Sequence, residues 1–525
     1  MLAFRLRRRV SLLLGLLLCA VVGVQFFSLG SFEKTASGFQ NQALPTSQDP
    51  WHFEIKQEIP ARRESGVAGD LSLKDFGVDI LQHARKDLRN EHGTDDSDER
   101  TRIEGHFVET VKGEASRIRT PPLRRFSKVS PAVLQEEKCP GCYGTTLCDK
   151  FYAGNITLDM ETPGHAQSKG VFFGYMNGRR VVGKHLADRS EFKRLDHFVC
   201  QNSSRRIRPN QSCDVSWDIL HSHLASRRAL DAEYIRKDAH KVAQTAASSL
   251  GLALCASDRF IAQLKDLYGL NRWTRDCSPE IATLMTSLIL NPEGLLLKFF
   301  KQNVPQLQKY FPDYLGECGR MIVVAEAGTP LSEYHNASWD VRADLARQIL
   351  QMVHDFQNAS RDWLVVFGDF RFENFAVTAD GRIQVLDLED IMIIDKQEIV
   401  PVEKVSPLAS PCNEECFVTI AKSLFQGSGQ DCGVIPRYSQ IMLLLACHRL
   451  LSDMDSTKYL RYFYDEKEKR VPPVGLLHDV PDILEPNLSN LLYSCVFESA
   501  AGQRIQSANI LKRLLEVTGR GYLRI

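Results

Sequence analysis

The chain has no excess of either charge: 65 Lys and Arg balance 65 Asp and Glu across 525 residues. A chain without a basic field is not built to hold a polyanion, so nucleic acid is not expected as a partner. No internal repeat appears, which argues against a solenoid or propeller. The Cys-x-x-Cys at Cys139 and Cys142 lacks a second Cys or His pair at finger spacing, so a structural zinc site is not expected. The acidic run around Asp96 and Asp98 looks faintly like a calcium loop. Arg100 stands where a third ligand belongs and no turn glycine follows, which excludes that reading.

The N-terminus, by contrast, is strongly patterned. Arg5 to Arg9 is rich in arginine and precedes the apolar run Val10 to Gly30. About twenty apolar residues cross a bilayer as a helix, and flanking arginines keep their own side cytoplasmic. The expectation is a single-pass type II signal anchor, with a cleaved signal peptide as the alternative. Either one puts the rest of the chain in the secretory lumen, with Golgi residence or release after cleavage as its destinations. Thirteen of the fourteen cysteines follow the anchor, and six N-x-S/T sequons stand at Asn155, Asn202, Asn210, Asn336, Asn358 and Asn487. Both features suit an oxidising compartment and a glycoprotein. Thirteen is odd, so at least one thiol is left free or bonded to another chain. Cys139, Cys142 and Cys148 are read as disulfide formers, with a redox pair as the lesser alternative.

Residues 31–135 are polar and poor in apolar period, and read as a disordered lumenal stem. Order is expected from "KCPGCYGTTLC" onward. "KGVFFGYMNGRRVVGKHL" reads as a hairpin turning at Asn177-Gly178. Residues 215–270 are expected to be mostly helical, with Leu220, Leu224, Leu230 and Tyr234 on one stripe. Ser278 and Pro279 open a further helix. "GLLLKFF" and "GRMIVVAEAG" read as two strands, and "WDVRADLARQILQMVHDFQN" as an amphipathic helix. The remainder is mainly helical, including Tyr438 to Ser452 and Gln503 to Val517. Strands with an embedded helix, followed by a helical half, give an α+β class with segregated elements rather than a βαβ alternation.

Phosphoryl transfer from ATP needs a cation on the phosphates, a carboxylate to fix that cation, a base for the acceptor hydroxyl, and oxygen ligands for Mg2+ or Mn2+. Lys184, ending a strand after a hairpin, suits the first task. Glu280, in the first turn of the Ser278 helix, is the preferred partner, and Glu191 is the nearer rival. Asp369 and Asn374 carry the D-x-x-x-x-N spacing of a catalytic base and metal ligand. Arg371 places a cation two residues past the Asp, where a transferring phosphate would lie. Asp387 closes the strand "RIQVL" as a second metal ligand.

These residues, with "KCPGCYGTTLC", "KYFPDYLGECGRMIVV" and "FRFENFAV" followed by "VLDLEDIMIIDK", resemble the second branch of the divergent protein kinase domain family, also called the deleted-in-autism group. The resemblance runs from about Lys138 to the C-terminus and leaves out the stem. It implies a two-lobed protein-kinase-like fold in the secretory pathway. Lys184 and Glu280 would then serve ATP, Asp369 would be the base, and Asn374 and Asp387 would hold the metal. One branch of the family carries a calcium-binding insertion, and this chain shows no such loop. The implied division is a cytoplasmic tail (1–9), anchor (10–30), stem (31–135), N-lobe with a Cys-rich start and helical insertion (136–327), and C-lobe (328–525).

The departures are local. Gly164, Gly170 and Gly174 replace the tight G-x-G-x-x-G, so the loop would cap phosphates less closely. Phe367-Gly368 replace His-Arg before the base, and Asp387-Leu388-Glu389 replace D-F-G. Glu389 would either add a ligand or repel nucleotide. No A-P-E docking segment is evident. Two functions stay open on this pattern. One is an atypical kinase acting on a lumenal protein or glycan. The other is a pseudokinase working as a secreted or anchored binding protein.

Overall fold

A computed structural model describes residues 126–160, 170–203, 213–235, 255–270, 277–398, 439–452, 474–498, 500 and 502–519. All of them fall in the second of two compact units, Leu71–Ile525. The expected anchor at 10–30, the stem up to residue 125, Gly164 and the Asn210 sequon lie outside the described residues. Among the described residues no helix is long and apolar enough to cross a membrane.

The N-terminal part is a six-stranded antiparallel sheet. Its strands are β1 (Phe126–Lys128), β2 (Ile156–Asp159), β3 (Val171–Met176), β4 (Arg179–Lys184), β5 (Tyr314–Cys318) and β6 (Met321–Ala325), in the order β1-β2-β3-β4-β6-β5. The lobe therefore starts before residue 136. Phe126 to Lys128 pairs with Asp159 to Thr157, so this end of the expected stem is ordered by a strand ladder. The β3–β4 hairpin turns where expected. Asn177 and Gly178 both take positive φ, 50° and 80°, the pair of left-handed residues a two-residue turn needs to match strand twist.

Alternation gives the sheet two faces. Leu158, Phe172, Val181 and Val323 pack on one face into a small core with Leu134, Leu147 and Phe151. Val182, Ile322 and Val324 point the other way into the large core that continues through the C-terminal part. Lys184, two residues after Val182, shares that second face.

Among the described residues, the longer helices between β4 and β5 are α1 (Arg189–Asn202), α2 (Asp258–Leu267), α3 (Pro279–Leu290) and α4 (Glu293–Asn303). Ser278 caps α3 by accepting from the Ile281 N–H at 3.2 Å, with Pro279 at the first position, as expected. The described residues of 215–270 are mostly helical, as expected, although between Val215 and Leu230 the helix comes in short pieces, one α turn and three 3-10 turns. The Ser222 and Ser226 hydroxyls accept from Leu224 and Arg228 N–H groups and restart the backbone each time. One expectation fails: "GLLLKFF", read as a strand, is helical, within α4. Leu295, Leu296, Leu297, Phe299 and Phe300 are all buried, and an apolar run buried on every side does not reveal its period.

The chain crosses to the C-terminal part after β6, where β7 (Thr329–Pro330) pairs with β9 (Phe375–Val377). There α5 (Trp339–Asn358) buries Val341, Leu345, Ile349, Val353 and Phe356, a 3.6-residue stripe. β8 (Trp363–Phe367) pairs with β11 (Ile391–Asp395), and β9 with β10 (Ile383–Val385). α6 (Ser439–Leu445) runs into a π turn, Ala446–Leu451, and α7 (Glu485–Val496) and α8 (Gln503–Gly519) complete the helical layer. The result is an antiparallel sheet lobe followed by a helical lobe, the kinase-like arrangement.

Disulfides join Cys139–Cys142, Cys148–Cys318, Cys200–Cys213 and Cys447–Cys495, while Cys277 is a free, exposed thiol. Cys148–Cys318 ties the Cys-rich start to β5 across 170 residues.

Candidate active site

Lys184 ends β4 on the face turned to the large core. Its Nζ donates to Glu293 Oε1 at 2.7 Å and to the Leu386 carbonyl at 2.5 Å. The partner is therefore neither Glu280 nor Glu191. Glu280 is exposed one helix upstream. Glu191 is occupied at its own helix start, where it accepts from the Asp188 N–H in a capping box. Glu293 was hidden by the strand reading of the segment it opens. Its signal was present in "NPEG": Asn291 is a cap residue two positions ahead, and its Oδ1 accepts from the Glu293 N–H at 2.9 Å.

Glu293 is 2 % exposed. Burial pushes its carboxyl up to about 7, against the pull of Lys184, and Asp387 and Glu389 add to the push. Three carboxylates and one ammonium thus lie within electrostatic reach of Glu293's site.

The Asp369 loop follows β8. Phe370 and Phe372 are buried, Asp369 is buried beside them, and Arg371 is half-buried. Arg371 holds both Asp369 oxygens: Nε donates to Oδ1 at 2.6 Å and Nη2 to Oδ2. Asn374 Nδ2 donates to Asp369 Oδ2 at 2.6 Å and to its carbonyl at 3.1 Å. With its nitrogen committed, the Asn374 amide has its oxygen left as the atom suited to a cation. In place of His-Arg, the loop rests on aromatic rings, Phe367 with Phe370 at 5.0 Å and with Phe375 at 5.8 Å.

Asp387 follows β10. The Leu386 N–H donates to the Asn374 carbonyl at 2.7 Å, which joins the two loops. Asp387 Oδ1 accepts from the Glu389 N–H at 3.1 Å, and Glu389 Oε2 accepts from Asn291 Nδ2 at 2.8 Å. Gly170 is buried before β3, its carbonyl accepting from the His185 N–H at 2.8 Å, and residues 161–169 of the expected glycine loop lie outside the described residues. The structure thus joins Lys184 with the Asp387 segment, and that segment with Asp369, Arg371 and Asn374. Glu280 stays apart.

The oxygen donors Asp387 and Asn374 are the hard ligands that suit Mg2+ or Mn2+. Elsewhere, the group Glu136, Cys148 and Cys318 has metal-ligand spacing, but its two thiols are joined to each other.

A family model described as the protein-kinase domain of FAM69 matches residues 285–498, which contain Glu293, Asp369, Asn374 and Asp387 but not Lys184. Human divergent protein kinase domain 2A is 29% identical over 286 residues, covering 51% of this chain and 63% of the relative. The mouse 2A protein is 30% identical over 288 residues, again 51% and 63%. Mouse divergent protein kinase domain 2B is 23% identical over 358 residues, 65% and 77%. The match thus spans less than two thirds of the 2A relatives' length. A solved Rv3197–erythromycin complex from Mycobacterium tuberculosis aligns at 13% identity with a TM-score of 0.24, too low to bear on the fold. Residues 285–498 thus match the kinase domain of that family, and the chain is similar to the 2A and 2B divergent protein kinase domain proteins.

Proposed function

We propose that this chain binds ATP with Mg2+ or Mn2+ between its lobes and passes a phosphoryl group to a hydroxyl on a lumenal protein or glycan. The observation that carries the reading is the Lys184–Glu293 pair closed onto Leu386, the residue before Asp387. Two sequence segments 202 residues apart meet where a nucleotide's phosphates and metal would meet. Val171 lies opposite Lys184 in the ladder and is 43% exposed, beside Phe173 and Val182. That apolar strip on the lysine's face suits the flat side of a purine.

In this reading Lys184 pairs with phosphate oxygens, and Asp387 and the Asn374 oxygen hold the metal, which neutralises phosphate charge when bound. Asp369 would accept the acceptor's proton as its oxygen bonds to the terminal phosphorus, while the bond from that phosphorus to the bridging oxygen breaks and ADP leaves. Arg371, released from Asp369, moves its charge onto the transferring group. The second reading, a pseudokinase, is favoured by one observation: both Asp369 oxygens are already held by Arg371 and Asn374. A secretory setting is supported by the disulfides among the described residues and by exposed sequon asparagines at 155, 202, 336 and 358. Membrane attachment through Val10 to Gly30, with Golgi residence or release by cleavage, completes the proposal.

The test is a pair of thermal melts on the full chain, with and without Mn–ATP, for wild type and Asp387→Ala. Ligand binding to the native state raises the melting temperature by mass action. A metal-dependent rise in wild type that Asp387→Ala abolishes supports the site. No rise at millimolar Mn–ATP in folded protein refutes it.

A further inference from the structure

Asn291 is a buried polar side chain with its hydrogen-bonding capacity in use. It is 2 % exposed. Its oxygen caps α4 at the Glu293 N–H, and its nitrogen donates to the Leu186 carbonyl at 3.1 Å and to Glu389 Oε2 at 2.8 Å. One carboxamide therefore touches the segment after Lys184, the helix that carries Glu293, and the segment that carries Asp387.

These contacts close a ring. Lys184 reaches Glu293, Glu293 follows the Asn291 cap, and Asn291 holds Glu389. The Glu389 N–H holds Asp387 Oδ1, and the neighbouring Leu386 carbonyl returns to Lys184. A glycine at position 389 would have no side chain to reach Asn291, and the ring would be open there. The Glu389 carboxylate faces an amide donor.

We propose that Asn291 and Glu389 are positioning residues that pin Asp387 in its metal-facing place, so that the nucleotide site stands assembled in the resting protein without an activation-segment switch. The nucleotide half of this proposal rests on the function proposed above, but the pin itself is a property of the ligand-free chain. An open buried hydrogen bond lets the segment it held fluctuate, and backbone amide exchange reports that directly. The Leu386, Glu389 and Ile391 amides are all hydrogen-bonded and report on the segment.

The experiment compares hydrogen exchange of residues 386–391 in the full chain, without nucleotide, for wild type, Glu389→Gln, Glu389→Ala and Asn291→Asp. Glutamine keeps an oxygen that accepts from Asn291, whereas alanine does not. Asn291→Asp keeps the cap on Glu293 and removes the donor. The expected result is roughly tenfold faster exchange in Glu389→Ala and in Asn291→Asp, with Glu389→Gln close to wild type. Exchange in Glu389→Ala equal to wild type overturns the pin, and melting curves of the same samples show whether each variant is folded.

Mn–ATP melts on the same four proteins separate the two ideas. If wild type responds and Glu389→Ala responds only at roughly tenfold higher Mn–ATP while Glu389→Gln follows wild type, the pin serves the nucleotide site. If Glu389→Gln keeps slow exchange but loses the Mn–ATP response, Glu389 is a metal ligand and its positioning role is overturned. If wild type shows no response, the nucleotide reading fails while the exchange comparison still decides the pin.

Discussion

Glu293 provides the most direct physical test of the site, because burial holds its carboxyl up to about 7 against the opposing pull of a lysine at 2.7 Å. The substitution is Glu293→Gln, which keeps the shape and an oxygen for Lys184 but cannot ionise. An acid whose folded pKa is raised binds its proton longer folded than unfolded. Its contribution to stability is fully present below the unfolded pKa of about 4.5 and is lost as pH rises through about 7. At 1.36 kcal/mol per unit the loss across that window is roughly 3 kcal/mol. Wild type carries this pH dependence and Glu293→Gln does not. The stability difference between the two should therefore shift by about 3 kcal/mol in favour of glutamine between pH 4.5 and pH 7.5.

Taking the difference between the two proteins removes titrations distant from position 293, which are common to both. By extrapolation of the size scaling, about 3 kcal/mol is a relative shift in melting temperature of roughly 3–6 °C. The assay is a series of melts of both proteins in half-unit steps from pH 4.5 to 8. A difference that stays flat across the series would refute the reasoning, since the carboxyl would then titrate alike folded and unfolded. The same two proteins with Mn–ATP at pH 7.5 report whether the full charge of Glu293 is needed to hold Lys184 for phosphate.

Two further outcomes test the scaffold. Replacing Cys148 and Cys318 by serine opens a closure of 170 residues between the Cys-rich start and β5 and should cost about 2–5 kcal/mol, read as a lower denaturation midpoint under non-reducing conditions. Ser278→Ala removes the α3 cap at the Ile281 N–H and should cost about 1 kcal/mol, whereas Ser278→Gly should cost only a few tenths, a contrast visible in urea titrations.

The sequence made the hairpin, the long α5 helix and the Ser278 helix legible because each announces itself locally. Asn177-Gly178 supplies two left-handed residues, α5 has a 3.6-residue stripe, and Ser278-Pro279 is a cap followed by a first-turn proline. The spacing of Asp369 and Asn374 is likewise local, and the structure joins them by a 2.6 Å hydrogen bond. What was not legible depends on distance along the chain. Lys184 and its carboxylate are 109 residues apart, and three acids on nearby helices have the same local claim. Only the position of α4 under the sheet selects Glu293. The α4 run could not show its period because nearly every side is buried, and the breaks between the short helical turns from Val215 to Leu230 were not legible because serine hydroxyls that cap such turns leave the apolar spacing intact.

The departures from a regulated kinase pattern share a physical direction. Where His-Arg would make the catalytic loop responsive to a phosphate, Phe367 is fully buried and stacks its edge against Phe370 and Phe375. Contacts of that kind are insensitive to a charge added elsewhere. Where a glycine would let the Asp387 segment swing, Glu389 is tied to a buried amide. Both replacements exchange a response to charge for fixed packing or a fixed hydrogen bond. If this chain is regulated at its site, phosphorylation of an activation segment is then a poor lever, because neither loop has a free cation placed to read it. Arg371, the guanidinium in the catalytic loop, already spans both oxygens of Asp369. The step left open to control is the parting of that pair, and its natural trigger is the arrival of a more highly charged partner than a carboxylate, which a nucleotide's terminal phosphate is. Under the proposed function the nucleotide would then both occupy the site and free Asp369, so that base and phosphate would become available together.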